Sequence, residues 1–255
     1  MAIGRISLAA AMVVALSCVR ICPGLASTDV FDSTLDEANQ ATQEVSTRQL
    51  RGILADKSAV ILDTRTRAEF DAGHIPGARN VDAPSSALVT ETLTLVGGDK
   101  SKALVLYCNG PYCQASRRLA EQLLAAGFTN VRRYQLGIPI WRALGGPTEI
   151  ELAGVKRVFG VDRSAILVDG RTPDAFAKGS VPGAQNMPVD ELVAGRLKKL
   201  PLPEDDFNRR IILFGQDGTQ ARQMADVLSK RPWHNVLYFS GTFEALTASI
   251  GQASP

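Results

Sequence analysis

The 255-residue chain is long enough for one large domain or for two of about 100–130 residues each. Its 45% hydrophobic and 21% charged content is that of a globular protein able to bury proper cores. The formal net charge is only +2, which argues against a nucleic-acid or anionic-membrane partner, whose binding a basic face would drive.

The N-terminus differs from the rest. Arg5 precedes an apolar stretch from Ile6 to Val19, and Gly24-Leu25-Ala26 follows. This order predicts a signal peptide over residues 1–26, cleaved near Ala26, and a periplasmic or secreted mature protein. The apolar run is short for a membrane span, so no integral membrane segment is expected in the mature chain. A retained N-terminal anchor is the alternative. Cleavage removes Arg5 and Arg20 but no acid, which leaves 26 basic and 26 acidic residues. It also removes Cys18 and Cys22, so Cys108 and Cys113 are the cysteines that remain. An exported protein with so few cysteines is not held together by a disulfide framework. The pair belongs to a site.

Residues 27–44, with Asp29, Asp32, Asp36, Glu37 and Glu44, read as a polar extension or linker. A strand at Val45 and a short helix carrying Leu50, Ile53 and Leu54 follow. Ala59 to Leu62 is a buried strand ending in Asp63-Thr64-Arg65, with Ala68-Glu69-Phe70 on a short helix. Gly73-His74-Ile75-Pro76-Gly77-Ala78 is rich in turn formers, and Asn80-Val81 starts another strand. A helix is expected around Leu88 to Leu95.

Ala103 to Leu106 is apolar and reads as a strand, while Leu119, Leu123 and Leu124 sit at helical spacing from about Ser116 to Ala126. Between them lies Cys108-Asn109-Gly110-Pro111-Tyr112-Cys113-Gln114. Cys108 is therefore placed where a strand turns through a tight loop into a helix. Backbone N–H groups converge in such a loop, and the helix N-terminus adds partial positive charge. A thiol there is expected to have a lowered pKa and to be nucleophilic. Val131 to Tyr134 makes a further strand, and Trp141 to Leu144 a helix closed by Gly145-Gly146-Pro147.

The pattern then repeats. Asp63, Arg65, Thr66, Phe70, Gly73, Pro76, Gly77, Ala78 and Asn80 recur 106 residues later as Asp169, Arg171, Thr172, Phe176, Gly179, Pro182, Gly183, Ala184 and Asn186. The match resumes at Ile211 to Phe214 and ends at Phe243 to Leu246. Two α/β domains are expected, over residues 45–147 and 148–255, each a mostly parallel sheet with helices on both faces. Asp63 and Arg65 recur in both halves, which favours a bracing ion pair over catalysis.

Leu62-Asp63-Thr64-Arg65, the stretch from Glu69-Phe70 to Ala78, the loop after Tyr107 and Trp141 together resemble tandem rhodanese domains over about residues 45–250. The resemblance implies sulfur transfer through a persulfide on Cys108, with Asp63, Arg65 and Glu69 bracing the fold beside the loop. It implies a small-molecule sulfur donor, a thiol or anionic acceptor that could include a protein, and no metal or organic cofactor. A thiolate both attacks soft sulfur and holds it, and inward N–H groups stabilise the anionic persulfide.

Two departures from the family pattern matter. Gly215 stands where the second half would carry the nucleophile, so no persulfide is expected there. Cys113 stands where many rhodaneses carry Arg or Lys, which weakens the usual thiosulfate assignment; Arg117 is the nearest candidate to serve the entrance instead. The same absence of Arg at Cys113 and Gln114 argues against a phosphatase or arsenate reductase. His74 reads as a turn residue and Trp141 as core, and the cysteines and histidines lack zinc-motif spacing. The alternative function is a non-catalytic binding or thiol-redox module that uses the Cys108/Cys113 pair.

Overall fold

The computed structural model describes residues 29–82, 84 and 86–251. The expected signal peptide lies outside the described residues. In the first half come β1 (Gln43–Glu44), α1 (Thr47–Asp56), β2 (Val60–Asp63), α2 (Arg67–Ala72), β3 (Arg79–Asn80), α3 (Leu88–Leu95), β4 (Leu104–Tyr107), α4 (Ala115–Ala125), β5 (Val131–Tyr134) and α5 (Gly137–Ala143). The second half has β6 (Thr148–Ile150), α6 (Leu152–Arg157), β7 (Ile166–Asp169), α7 (Pro173–Ala177), β8 (Gln185–Asn186), α8 (Val189–Val193), β9 (Ile211–Phe214), α9 (Gly218–Leu228), β10 (Val236–Phe239) and α10 (Phe243–Ile250).

Each half is a five-stranded sheet flanked by helices, ordered β1-β5-β4-β2-β3 and β6-β10-β9-β7-β8. Strand pairing within both sheets is parallel throughout. The two sheets have the same topology, as the internal repeat predicts.

The central strands explain the layering. All four residues of β4 are buried, and successive side chains point to opposite faces. Val105 and Tyr107 join one apolar cluster with Leu50, Phe70 and Trp141. Leu104 and Leu106 join another with Leu119, Leu123 and Phe128. In β9, Ile211 and Leu213 face one cluster while Ile212 and Phe214 face the other. A strand covered on both faces must be apolar throughout, so it lacks the alternation of a half-exposed strand.

The polar stretch before β1 is packed onto the first sheet. Glu37 reaches Arg117 at 3.3 Å and Arg133 at 3.2 Å, and Arg48 binds Asp29 and Asp32. The two halves are joined by an isolated antiparallel bridge between His74 and Glu149. At the same seam, α6 approaches α2 closely enough that a Cβ on Gly154 would lie 2.0 Å from the Asp71 carbonyl oxygen. Only glycine fits that contact.

Candidate functional site: the loop after the central strand

β4 lies between β5 and β2, so its C-terminal end is in the middle of the sheet edge where open α/β folds place their ligands. Cys108 follows it directly, and the loop runs through Gln114 to α4. The Cys113 N–H donates to the Gly110 carbonyl at 3.0 Å, which closes a turn, and Ile138 N–H donates to the Cys108 carbonyl at 3.1 Å. The Asn109 side chain donates to Glu69 at 2.6 Å. Glu69 is itself held by the Thr66 capping box at the start of α2.

One positioning residue was not visible in the sequence. Gly137 has φ +67°, and a Cβ there would lie 2.4 Å from the Gly110 nitrogen and 2.5 Å from the Cys108 carbonyl oxygen. The start of α5 therefore forms the floor of the loop, and it can approach only because it carries no side chain. The residue type was readable; the close approach that requires it was not.

The two cysteines sit differently from the sequence expectation. Both are free thiols. Cys108 is 2% exposed, and its Sγ lies 3.2 Å from the Cys113 carbonyl oxygen and 3.5 Å from the Ser116 hydroxyl. Burial pushes the Cys108 thiol up, and its interaction with Cys113 adds to this. The expected lowering at Cys108 is thus reversed: its sulfur is buried and faces a carbonyl oxygen, which disfavours the thiolate. Cys113 is partly exposed. Burial raises its pKa too, but the Cys108 side chain and the backbone N–H groups of Ala115 and Asn109 outweigh this, and the net shift is downward. The loop N–H groups are shared: those of Ala115 and Asn109 serve Cys113, while that of Ser116 serves Cys108.

The bracing residues are brought together. Asp63 and Arg65 form a buried ion pair at 2.5 Å, and Arg65 also donates to the Gly73 carbonyl at 2.8 Å. The Tyr107 hydroxyl donates to Asp63 at 2.5 Å and accepts from Ile75 N–H at 3.0 Å. This clasp ties the ends of β2 and β4 to the turn after α2. Arg117 is drawn away to Glu37, Glu121 at 3.1 Å and the Asn39 carbonyl at 3.2 Å. It does not take the place of the missing loop cation. The charged neighbour of the loop is instead the Glu69 carboxylate. Pro111 and Tyr112 form the outer rim, with Tyr112 97% exposed.

His74 stacks on Phe70 at 3.7 Å and its Nδ1 bonds the Phe70 carbonyl at 3.0 Å. Trp141 is 2% exposed and donates to the Pro147 carbonyl. Among the described residues no group of three or more His, Cys, Asp or Glu is placed to hold a metal ion. A cavity of about 690 Å³ lies away from the loop, lined by Arg51, Ile61, Arg79, Trp141 and Tyr238 among others, and no residue from 108 to 114 lines it.

A rhodanese-like domain model matches residues 46–144 and again 156–249, three quarters of the chain. The chain belongs to the rhodanese-like family. It is a tandem rhodanese protein, with one family domain on each sheet. Among curated relatives, it is 31% identical over 125 residues to an HTH-type transcriptional regulator of Mycobacterium tuberculosis, covering 49% of this chain and 50% of that one. It is 33% identical over 87 residues to the thiosulfate sulfurtransferase GlpE of Pseudomonas putida, covering 34% of this chain and 73% of that one. A tRNA uridine(34) hydroxylase of Streptococcus pyogenes is 27% identical over 58% of this chain and 44% of its own length. The chain thus spans about half the length of the first and third of these relatives. A solved thiosulfate sulfurtransferase from Pseudomonas aeruginosa aligns over 84% of this chain and 46% of its own, with 23% identity and a TM-score of 0.37. No helix among the described residues is long and apolar enough to cross a membrane.

Proposed function

We propose that this tandem rhodanese is an exported sulfurtransferase that moves sulfane sulfur through a Cys108 persulfide to a thiol or other nucleophilic acceptor, a protein acceptor included. The observation that carries the reading is the placement of Cys108 at the C-terminal end of the central strand, in a loop anchored by Ile138, Gly137 and Glu69. The loop offers a doubly charged donor such as thiosulfate no cation of its own, which favours donors that carry their sulfane sulfur on a thiol. In this reading domain 1 spans residues 45–147 and carries the chemistry. Domain 2 spans 148–255 and supports it without a nucleophile.

Intact mass spectrometry of the purified protein after exposure to thiosulfate, polysulfide and glutathione persulfide tests this. Uptake of sulfur by wild type, read as a gain of about 32 Da or as sulfide released from the donor, is expected and is abolished by Cys108→Ser, since an alcohol is not ionised at neutral pH. A Cys108→Ser variant that still acquired and delivered sulfur would remove Cys108 from the role. Export is tested separately by N-terminal sequencing of the protein from cell fractions; a cytoplasmic chain beginning at Met1 would overturn it.

A second reading, a non-catalytic thiol-redox module, is favoured by one observation: the more readily ionised and more exposed sulfur belongs to Cys113. Oxidation of the pair with neither a sulfur adduct nor released sulfide from any donor, in wild type and in Cys113→Ala, would select it.

A further inference from the structure

The two sulfurs of the loop are arranged as an inner and an outer thiol. Cys108 lies beneath, 2% exposed, with its Sγ 3.2 Å from the carbonyl oxygen of Cys113. Cys113, five residues on, is partly open to solvent, and its own carbonyl oxygen accepts from the Cys108 thiol. The Gly110–Cys113 turn holds the two residues in this relation. Where a family member with Arg or Lys would present a cation to the sulfur on Cys108, this chain presents a second nucleophile.

We propose that Cys113 is the resolving thiol of this loop, and that it makes the protein a sulfane-sulfur reductase that releases sulfide at the expense of an external dithiol. The inference rests on the sulfurtransferase reading for its first step. There, the Cys108 thiolate attacks the terminal sulfur of a persulfide donor RS–SH, so that Cys108–S–SH forms and RS⁻ leaves. Next, the Cys113 thiolate attacks the Cys108 sulfur; the Cys108–Cys113 S–S bond forms, the bond to the terminal sulfur breaks, and HS⁻ leaves with its electron pair. The terminal sulfur is reduced and the two cysteine sulfurs are oxidised. Finally, a dithiol reductant exchanges with the disulfide, restores both thiols and leaves as its own cyclic disulfide. The sum is RSSH + R′(SH)₂ → RSH + H₂S + R′S₂, in which sulfur and hydrogen balance.

Two physical arguments favour the internal attack over capture by an outside acceptor. The first is proximity: a thiolate held in the same loop has a far higher effective concentration than a free acceptor. The second is ionisation: thiolates, not thiols, carry out exchange, and the backbone N–H groups of Ala115 and Asn109 favour the thiolate at Cys113.

The test uses the reduced mature protein and glutathione persulfide in the absence of any other thiol. The readouts are sulfide, measured over the Cys108→Ser background, and the mass of the tryptic peptide spanning residues 103–117, which holds both cysteines. Wild type is expected to release about one sulfide per protein and to yield this peptide 2 Da lighter, with turnover resuming when dithiothreitol is added. Cys113→Ser is expected to keep the 32 Da adduct on Cys108 and to lose the sulfide burst at least about tenfold. Cys113→Ala is expected to behave the same way, which separates loss of the thiol from any effect of the serine hydroxyl. A stable 32 Da adduct on wild type without sulfide, or an equal burst from either variant, overturns the resolving step alone. Absence of both adduct and sulfide in all of these proteins overturns the sulfurtransferase reading, and this step with it.

Discussion

Between β4 and α4 the chain takes seven residues, 108–114, to pass from strand to helix; between β9 and α9 it takes three, 215–217. The helices that follow are both eleven residues long, and the strands before them are equally buried. The scaffold of the two domains is therefore the same, and the difference is concentrated in the loop. In domain 2 the shorter path brings α9 back at once. Asp217 caps the helix, donating no room to a cradle, and its side chain accepts from Thr219 and Gln220 N–H. The Gln220 side chain occupies the space beside Gly215: a Cβ there would lie 2.7 Å from the Gln220 Cβ. Domain 2 thus has neither a thiol at position 215 nor open space beside it. The buried Asp–Arg clasp, by contrast, survives in both halves, with Arg171 binding Asp169 at 2.7 Å and the Gly179 carbonyl at 2.8 Å. Even its hydroxyl partner is kept by other means. Tyr107 supplies it in domain 1; in domain 2 the equivalent residue is Phe214, and Ser180 donates to Asp169 at 2.6 Å instead. The clasp is common to both sheets, and the long loop belongs to domain 1 alone.

The sharpest way to break this comparison is to return the thiol to domain 2. Gly215→Cys placed in a Cys108→Ser background is expected to give no persulfide from any donor, against a stoichiometric adduct at Cys108 in the Cys113→Ala variant. Mass spectrometry after donor exposure reads it, and a 32 Da gain at residue 215 would show that the short loop suffices.

Next in size is the loop floor. Gly137→Ala forces a side chain onto a φ of +67° and into the backbone of Gly110 and Cys108. A destabilisation of about 2–4 kcal/mol is expected from the combined strain and overpacking, with a fall in sulfur transfer of at least about tenfold. Urea denaturation and a donor-dependent assay measure the two effects, and a variant matching wild type in both would show that the floor yields.

A smaller effect is expected at Ser116. Its hydroxyl lowers the Cys108 pKa against the stronger effect of burial. Ser116→Ala should raise that pKa further, so the pH profile of Cys108 alkylation in a Cys113→Ala background moves to higher pH. An unchanged or acid-shifted profile would mean that the hydroxyl does not serve the sulfur.

The smallest effect concerns the seam. Burial lowers the pKa of His74 below its ordinary 6.5, although the Phe70 carbonyl and the charges of Glu149 and Glu151 act in the other direction. The unfolded chain therefore takes up a proton at this residue before the folded chain does. Stability is fully present above pH 6.5 and is lost progressively as pH falls below it towards the lowered folded value. His74→Gln should flatten the dependence of Tm on pH between 7 and 5.5, and an equally steep dependence in the variant would assign it elsewhere. Domain 2 has Ser180 at the equivalent position and contributes no such term.

Much of this fold could be read from the chain itself, for a physical reason. Strands buried on both faces are written as short apolar runs, and β4 and β9 are such runs, placed where they were expected. The repeated Asp-x-Arg and Gly-x-x-Pro-Gly-Ala spacing marked the clasp and its turn. The position of Cys108 at the end of β4 was equally legible. Its ionisation was not, because the N–H groups of a tight loop can serve either of two sulfurs, and side-chain direction decides which. Gly137 escaped notice for a related cause: it is 29 residues beyond Cys108, and its role appears only when α5 is laid under the loop. Arg117 was near the loop in sequence, yet Glu37 from the polar stretch holds it elsewhere. Contacts between distant segments set all three outcomes, and local pattern carries no record of them.

The Glu37 contact also bears on how the chain tolerates trimming. Arg133 is 2% exposed, and the anion within reach of its guanidinium is the carboxylate of Glu37, which also accepts from Gln135. A protease that clipped the polar stretch between Glu37 and β1 would leave a sequestered positive charge next to the central strand, with water poorly able to reach it. It would also release Arg117 on the helix that follows the reactive loop. A nick at what reads as a dispensable tail would then be felt beneath the sheet, so resistance to limited proteolysis before residue 40 is a measure of whether domain 1 is whole.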